Sequence, residues 1–317
     1  MKILRSVNFK RSEIRLVEPY PLTRTLLVKP HDRGKKLIEY LHERFSYVSC
    51  EEWQRRLDNK WIWFAEGEAT ASSLLKPNQI IYHHSPKVLE PSVPDAVTVI
   101  KESDEWMVVY KPAPMPMHQG GRYYKNTLTY ILSEMGAEGL SIVHRLDAVT
   151  SGLVILAKNR EVANRLQIAF TEKRVEKWYY ALVSGEMQDE SITVDVPIAR
   201  KRGFVFECGH QLSNGKSAVT LIERVASMNG MSLVKCNPLT GRTHQIRLHL
   251  REAGIPIVDD PIYGPDGDNT GKKLQNRAIS LQSSGIILDD LSIHADIDAP
   301  KAWFKTDIFK HKKSPNP

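Results

Sequence analysis

Apolar residues recur at helical spacing in only a few stretches of this chain. Leu37, Ile38, Leu41 and Phe45 lie about a turn apart and predict an amphipathic helix. Trp53 and Leu57 repeat that spacing in a second helix. Ser49 stands where its N-cap hydroxyl is needed, with Glu52 three residues on as a capping-box partner. Another helical pattern runs from Asn159 to Thr171, and one more starts near Asn126. Elsewhere the apolar residues form short runs rich in β-branched and aromatic side chains, which read as strands. WIWFAEGEAT (61–70) reads as a strand, a Gly turn and a second strand. WMVVYKPA, LVILAK, KWYYALVSG, SAVTLIERV and SLVKCNP read as further strands. Helices fall between them at irregular intervals. The expected fold class is therefore α+β, a mixed, mainly antiparallel sheet with flanking helices, rather than regular βαβ units.

The same pattern divides the chain. Residues 1–33 are polar and basic, with Pro19, Pro21 and Pro30, and read as an N-terminal arm. Residues 34–92 read as a small α/β module. The stretch from Glu90 to Asp95, with Pro91 and Pro94, is the best linker candidate. A larger domain over 93–310 and a disordered basic tail over 311–317 follow. No internal repeat appears.

Charge narrows the partner. The 317 residues carry 44 Lys and Arg against 37 Asp and Glu, a net charge of +7. That balance favours a polyanion, with nucleic acid ahead of a membrane surface. No apolar run approaches the length of a membrane span. The N-terminus is basic (Lys2, Arg5, Lys10, Arg11, Arg15) but lacks the apolar segment of a secretory signal. Cys50, Cys208 and Cys236 are scattered and odd in number, which argues against a disulfide framework or a zinc site. A reducing, cytoplasmic compartment is expected. Lys35, Lys36, Arg44, Arg55, Arg56 and Lys60 stud the module's two helices as candidate phosphate contacts, diluted by Glu39, Glu43, Glu51, Glu52 and Asp58.

Candidate chemistry concentrates in HRLDAVTSGLVILAK, residues 144–158. Asp147 stands two residues after Arg145, and a nearby cation favours an ionised carboxylate. The Thr150-Ser151-Gly152 turn would let the backbone come close to a ligand. An R-x-D pair by itself is most often a structural ion pair. Thr243 is a plausible N-cap for a helix beginning near His244, which places Arg247 one turn in. His244 and His249 are five apart, poor spacing for one helical face, so no metal is expected there. Gly209 to Ser217 is one residue too long for a phosphate-binding loop, and a turn at Ser213-Asn214-Gly215 reads better.

Four ordered strings together resemble the RluA-type pseudouridine synthases. They are YKPAPMPMHQGGRYYKNTLTYIL, VHRLDAVTSGLVILAK, EKWYYALVSG and NPLTGRTHQIRLHLREAGIPIVDDPIYG, and GKSAVT at 215–220 also fits. In the third, Lys177, Tyr179 and Gly185 match the family pattern. The resemblance implies that Asp147 is the nucleophile and that Arg247 pairs with it. It implies that Arg145 helps prise the target base from its stack and that Tyr179 lies against the uracil. Strand alternation puts Tyr180 on the opposite face. Pseudouridine formation involves no redox change and no phosphate transfer, so neither cofactor nor metal is implied. The partner implied is structured RNA, ribosomal RNA slightly ahead of transfer RNA, acted on by a monomer. The module over 34–92 resembles the RNA-binding module of ribosomal small-subunit protein four. Two departures stand out: Ala148 and Val149 occupy positions often charged in relatives, and Asp259 replaces the usual Gly of a G-D-P string. Two rivals remain, an RNA-binding protein that has lost catalysis and a glycosidase. The latter needs two opposed carboxylates, whereas Asp259 and Asp260 are adjacent.

Overall fold

A computed structural model describes residues 13–267, 277–300 and 303. The 311–317 tail and the basic residues Lys2, Arg5, Lys10 and Arg11 lie outside the described residues. The chain forms two compact units. One is Val17–Glu90; the other joins Met1–Leu16 to Pro91–Pro317.

The smaller unit packs two helices on a three-stranded antiparallel sheet. Helix α1 (Leu37–Arg44) buries Leu37, Tyr40 and Leu41; helix α2 (Cys50–Asp58) buries Trp53 and Leu57. Ser49 caps α2 by accepting the Glu52 amide at 3.2 Å. The reciprocal half of the capping box does not form, because the Glu52 carboxylate is taken by Arg55 and Arg56 at 2.7 Å each. The structure corrects two expectations in this unit. The 1–33 segment is not an arm throughout: Tyr20–Leu27 is the sheet's edge strand, paired with Ile80–Val88. Its alternating half-buried and exposed residues are those of a strand with one covered face. In WIWFAEGEAT only Ile62–Phe64 is a strand, and its partner is again Ile80–Val88, not the residues just after the turn.

The larger unit is built on a ten-stranded sheet. Its main order is Ser191–Asp195, Val219–Met228, Met231–Pro238, Glu176–Ser184, Leu281–Leu288, Ser151–Ala157, Trp106–Lys111 and Thr98–Glu102. Neighbours are antiparallel except Leu281–Leu288 with Ser151–Ala157, which run parallel. The α+β class with a mixed, mainly antiparallel sheet is as the sequence pattern indicates. Helix α3 (Leu128–Glu134) packs against Met107, Val109, Val154 and Leu156. Helix α4 (Arg160–Thr171), capped by Asn159, packs against Trp106, Val108, Leu153 and Ile155. Alternate residues of each strand thus enter opposite cores, which is why LVILA is apolar at every position. Helix α5 (Gln245–Glu252) covers Ala181, Val183, Val234 and Cys236.

Ile14–Arg15 pairs with Val93–Pro94, and Arg15 reaches Asn126 at 3.1 Å and Glu134 at 2.8 Å. The chain therefore leaves this unit after Leu16 and re-enters it at Pro91. The smaller unit is an insertion, not an N-terminal appendage.

Candidate functional site

The loop carrying Asp147 is fixed through its backbone. The Asp147 carbonyl accepts the Thr150 amide at 3.1 Å, closing a turn. The Ala148 carbonyl accepts the Met115 amide at 2.8 Å, and the Val149 carbonyl accepts the Ile279 amide at 3.0 Å. The backbone, not the Ala148 or Val149 side chain, makes these bonds. Gly152 follows at φ +117, and a Cβ there would stand 2.1 Å from the Ser283 carbonyl oxygen. The close approach expected at this glycine is to the neighbouring strand, not to a ligand.

Lys111 lies under the same loop. It is fully buried, and its Nζ donates to the carbonyls of Met115 at 2.8 Å, Pro112 at 3.2 Å and Ala148 at 3.4 Å. Burial pulls its pKa down to about 7, against the opposing charge of Asp147.

Arg247 projects from the first turn of α5 and is 3% exposed. Its Nε and Nη2 donate to Asp260 at 2.6 and 2.8 Å, and its Nη1 donates to Asp147 Oδ2 at 3.2 Å. Asp260 also accepts the amides of Ile262 and Tyr263 at 3.0 and 3.1 Å. Burial opposes charge on Arg247, but Asp260 outweighs it and raises the pKa. Burial also works to raise the Asp147 pKa. The charge that His244 carries when protonated, the charges of Arg247 and Arg145 and the hydrogen bond from Arg247 outweigh it and hold the carboxyl below its ordinary value. The neighbouring Asp259 accepts the amide and hydroxyl of Ser280 at 2.7 and 3.0 Å, an anchor that a glycine could not supply.

Tyr179 lines the same cleft, two residues after Lys177 on one face of its strand. Burial pushes its phenol up to about 12, with a Ser283 side-chain hydrogen bond opposing and the Asp147 charge assisting. Tyr180 does not line the cleft; it feels Asp298, Asp296 and Glu223 instead. Thr243 is not the N-cap of α5. His244 holds that position, in the left-handed region at φ 58. Its Nε2 is 3.7 Å from Asp147 Oδ2. His249 turns away to Thr220 Oγ1 at 2.8 Å and the Val196 carbonyl at 3.0 Å, so the two histidines share no ligand.

The cleft encloses about 590 Å³, and Asp147 is its one carboxylate among the described residues. Arg145, Lys173, Lys177 and Arg242 also line it. Among the described residues the Arg145, Lys173 and Lys177 side chains have no hydrogen-bond or ion-pair partner. The cations expected on the smaller unit are differently placed. Lys35 pairs with Asp32 at 3.1 Å and Glu43 at 2.6 Å, and Lys36 with Glu39 at 3.7 Å. Arg44 donates to Tyr40 Oη at 2.7 Å, and Arg55 and Arg56 share Glu52.

Asp147, Tyr179, Arg247 and Arg145 are thus brought together, while Lys35, Lys36, Arg44, Arg55 and Arg56 belong to the other unit. Sequence reasoning missed Asp260 as the anchor of Arg247, Lys111 beneath the loop and His244 beside the carboxylate. A lone Lys ending the otherwise apolar WMVVYK run was the one visible signal for Lys111.

A model of the family described as RNA pseudouridylate synthase matches residues 105–252. The "tRNA pseudouridine(32) synthase, mitochondrial" of Saccharomyces cerevisiae is 33% identical over 265 residues, covering 82% of this chain and 57% of the yeast protein. "RNA pseudouridine synthase 7" of Oryza sativa subsp. japonica is 32% identical over 288 residues, covering 85% of this chain and 71% of the rice protein. The solved structure of "Human RNA Pseudouridylate Synthase Domain Containing 1" superposes with a TM-score of 0.56 at 27% identity, over 67% of this chain and 87% of that one.

Proposed function

The chain belongs to the RNA pseudouridine synthase family, and from that premise we propose that it isomerises specific uridines in structured RNA, with Asp147 as nucleophile. The reaction breaks the N1–C1′ bond of uridine and joins C5 to C1′. C5 loses a proton and N1 gains one, so atoms and electrons balance without a co-reactant. The observation that carries this reading is the half-buried Asp147 carboxylate, kept ionised by Arg247 in a cleft lined with unpaired cations. A flipped uridine would meet the carboxylate with Tyr179 against its ring, while Arg145 fills the gap in the stack.

A hydrolytic glycosidase fits less well. It needs a second carboxylate across the bond. Asp260 is committed to Arg247 and Asp259 to Ser280. Transfer RNA moves ahead of ribosomal RNA as the target, because the yeast relative that aligns over 82% of this chain is named for a transfer RNA position.

The test is release of tritium from RNA labelled at uracil C5, with the new pseudouridines mapped by carbodiimide chemistry. The wild-type protein should release label. Asp147→Asn should lose more than about 1,000-fold in rate, as when other enzymes lose a nucleophile. Turnover near the wild-type rate in that variant would remove the assignment.

A further inference from the structure

His244 adopts a left-handed backbone at φ 58 and ψ 18, a conformation that costs a non-glycine residue and persists where the surroundings enforce it. Its imidazole is bracketed by the edge-on ring contacts of Phe206 at 5.3 Å and Tyr263 at 5.5 Å. Nδ1 lies 2.9 Å from Tyr263 Oη, and Nε2 lies 3.7 Å from Asp147 Oδ2. Tyr263 is 2% exposed, and its Oη also accepts the Phe206 amide at 2.9 Å.

These contacts fix the tautomer. Burial pushes the Tyr263 phenol up to about 12, so it keeps its proton at neutral pH. If His244 Nδ1 also donated to it, the buried O–H would have no acceptor among the described residues, a costly arrangement. The hydroxyl therefore donates to Nδ1, and the imidazole proton resides on Nε2, the nitrogen 3.7 Å from Asp147 Oδ2. The same carboxylate oxygen, Oδ2, already accepts from Arg247 Nη1 at 3.2 Å. Among the described residues Oδ1 accepts nothing.

We propose that His244 is a positioning residue for Asp147: held as the Nε2–H tautomer by Tyr263, it joins Arg247 in fixing Oδ2 and leaves Oδ1 as the oxygen that reacts. At 3.7 Å the contact is electrostatic in the free site; a shift under about 1 Å closes it to a hydrogen bond once RNA is bound, as many catalytic contacts tighten. The groups facing the imidazole are Asp147 and Arg145 from the loop, Arg247 from α5, and Asp260 and Tyr263 from the following segment. Protonating His244 would place a second full cation on Oδ2 and break the Tyr263 donation, and both changes weaken the nucleophile.

The proposal rests on Asp147 as nucleophile, and the variants separate the two ideas. Gln reaches with its amide to the place of Nε2, and Asn to that of Nδ1. Single-turnover rates at saturating RNA should be measured across an acid-to-neutral pH series for wild type, His244→Gln, His244→Asn and Tyr263→Phe. His244→Gln should keep its rate within about fivefold and lose the decline in rate on acidification that His244 gives the wild type. His244→Asn should lose about tenfold or more with RNA affinity unchanged, and Tyr263→Phe should fall between them. Equal losses in the Gln and Asn variants, or wild-type rates in both, would overturn the proposal. Should His244→Asn fail to fold, an unchanged rate in Tyr263→Phe overturns it. An active Asp147→Asn would instead overturn the reading beneath it.

Discussion

Arg247 commits two of its guanidinium nitrogens to Asp260, at 2.6 and 2.8 Å, and only the third, at 3.2 Å, to Asp147. The bidentate face is the stronger geometry. Asp260 is therefore what holds the guanidinium, and Asp147 meets a cation that is already in place. Removing Asp260 would leave a buried arginine half unpaired. Asp260→Ala should cost about 3–5 kcal/mol in unfolding free energy, the usual penalty for breaking a buried pair from one side. Asp260→Asn should cost less and still slow turnover. Denaturant unfolding and single-turnover rates check both. The Asp260 carboxyl is held below its ordinary value of 3.8, against burial, by Arg247. The pair's contribution is thus intact above about pH 4 and is lost as pH falls through the folded-state value. Asp260→Asn should flatten that acid limb of stability.

Tyr179→Phe keeps a ring against the base and removes only the hydroxyl. Its phenol, pushed up to about 12, is protonated at neutral pH and can donate a hydrogen bond. The variant should lose about 100-fold or more in single-turnover rate, as the loss of one acid–base contribution does, with RNA affinity little changed. Tyr180→Phe should match wild type in both. A larger loss at Tyr180 would mean that the strand presents the other face.

Much of this arrangement was legible where cause and effect are close in sequence. Ser49 was readable as a cap because it satisfies an amide three residues on. The LVILA run was readable as a strand. Tyr179 and Tyr180 could be assigned to opposite faces by period alone. What could not be read depends on distant register. Tyr20–Leu27 looks like a basic arm until Ile80–Val88 pairs with it, some sixty residues later. Arg247 could be expected near Asp147, but its anchor at Asp260 depends on how the chain turns after α5. The Thr243 cap was a sound local expectation. It lost to the contacts of His244 with Tyr263 and Asp147, which hold the backbone in a conformation that local propensity disfavours. The module's cations and most of the carboxylates beside them were visible, but not which of them pair.

Lys111 makes a further test of the loop. Its pKa, pulled down to about 7 from an ordinary value of 10.5, makes the folded chain bind fewer protons than the unfolded chain between those values. Stability should therefore rise with pH across that window, with a slope from this group of at most about 1.4 kcal/mol per pH unit. Lys111→Met should remove that slope. It should also free the carbonyls of Met115, Pro112 and Ala148 and lower turnover by loosening the Asp147 loop. Chemical denaturation at several pH values, beside activity at neutral pH, measures both. An unchanged slope would mean that the buried amine stays charged throughout.

Cations divide unequally between the two units, and salt dependence of RNA binding should reveal the division. Ile14–Arg15 lies antiparallel to Val93–Pro94, so Leu16 and Pro91 are neighbouring ends of one small ladder. Truncation at Pro94 would cut that ladder and free Asn126 from Arg15. The better test removes Val17–Glu90 and joins Leu16 to Pro91 through a short Gly-Asn-Gly turn, which keeps the ladder intact. The remaining unit has its own cores and retains Asp147, Tyr179 and Arg247, so it should fold and turn over at high RNA concentration. We expect the smaller unit to supply affinity. Every phosphate left without its cation should make the slope of log affinity against log salt shallower by about 0.7–0.9. Lys35, Lys36, Arg55 and Arg56 already sit against carboxylates, so the slope should fall by less than a count of those cations suggests. Lys177→Met, which removes an unpaired cation from the cleft itself, should cost nearly the full increment for one phosphate. Salt titrations of the intact protein, the shortened protein and Lys177→Met decide the matter. An unchanged slope on removing Val17–Glu90 would show that this unit binds something other than RNA. An unchanged slope in Lys177→Met would show that Lys177 meets the base rather than the backbone.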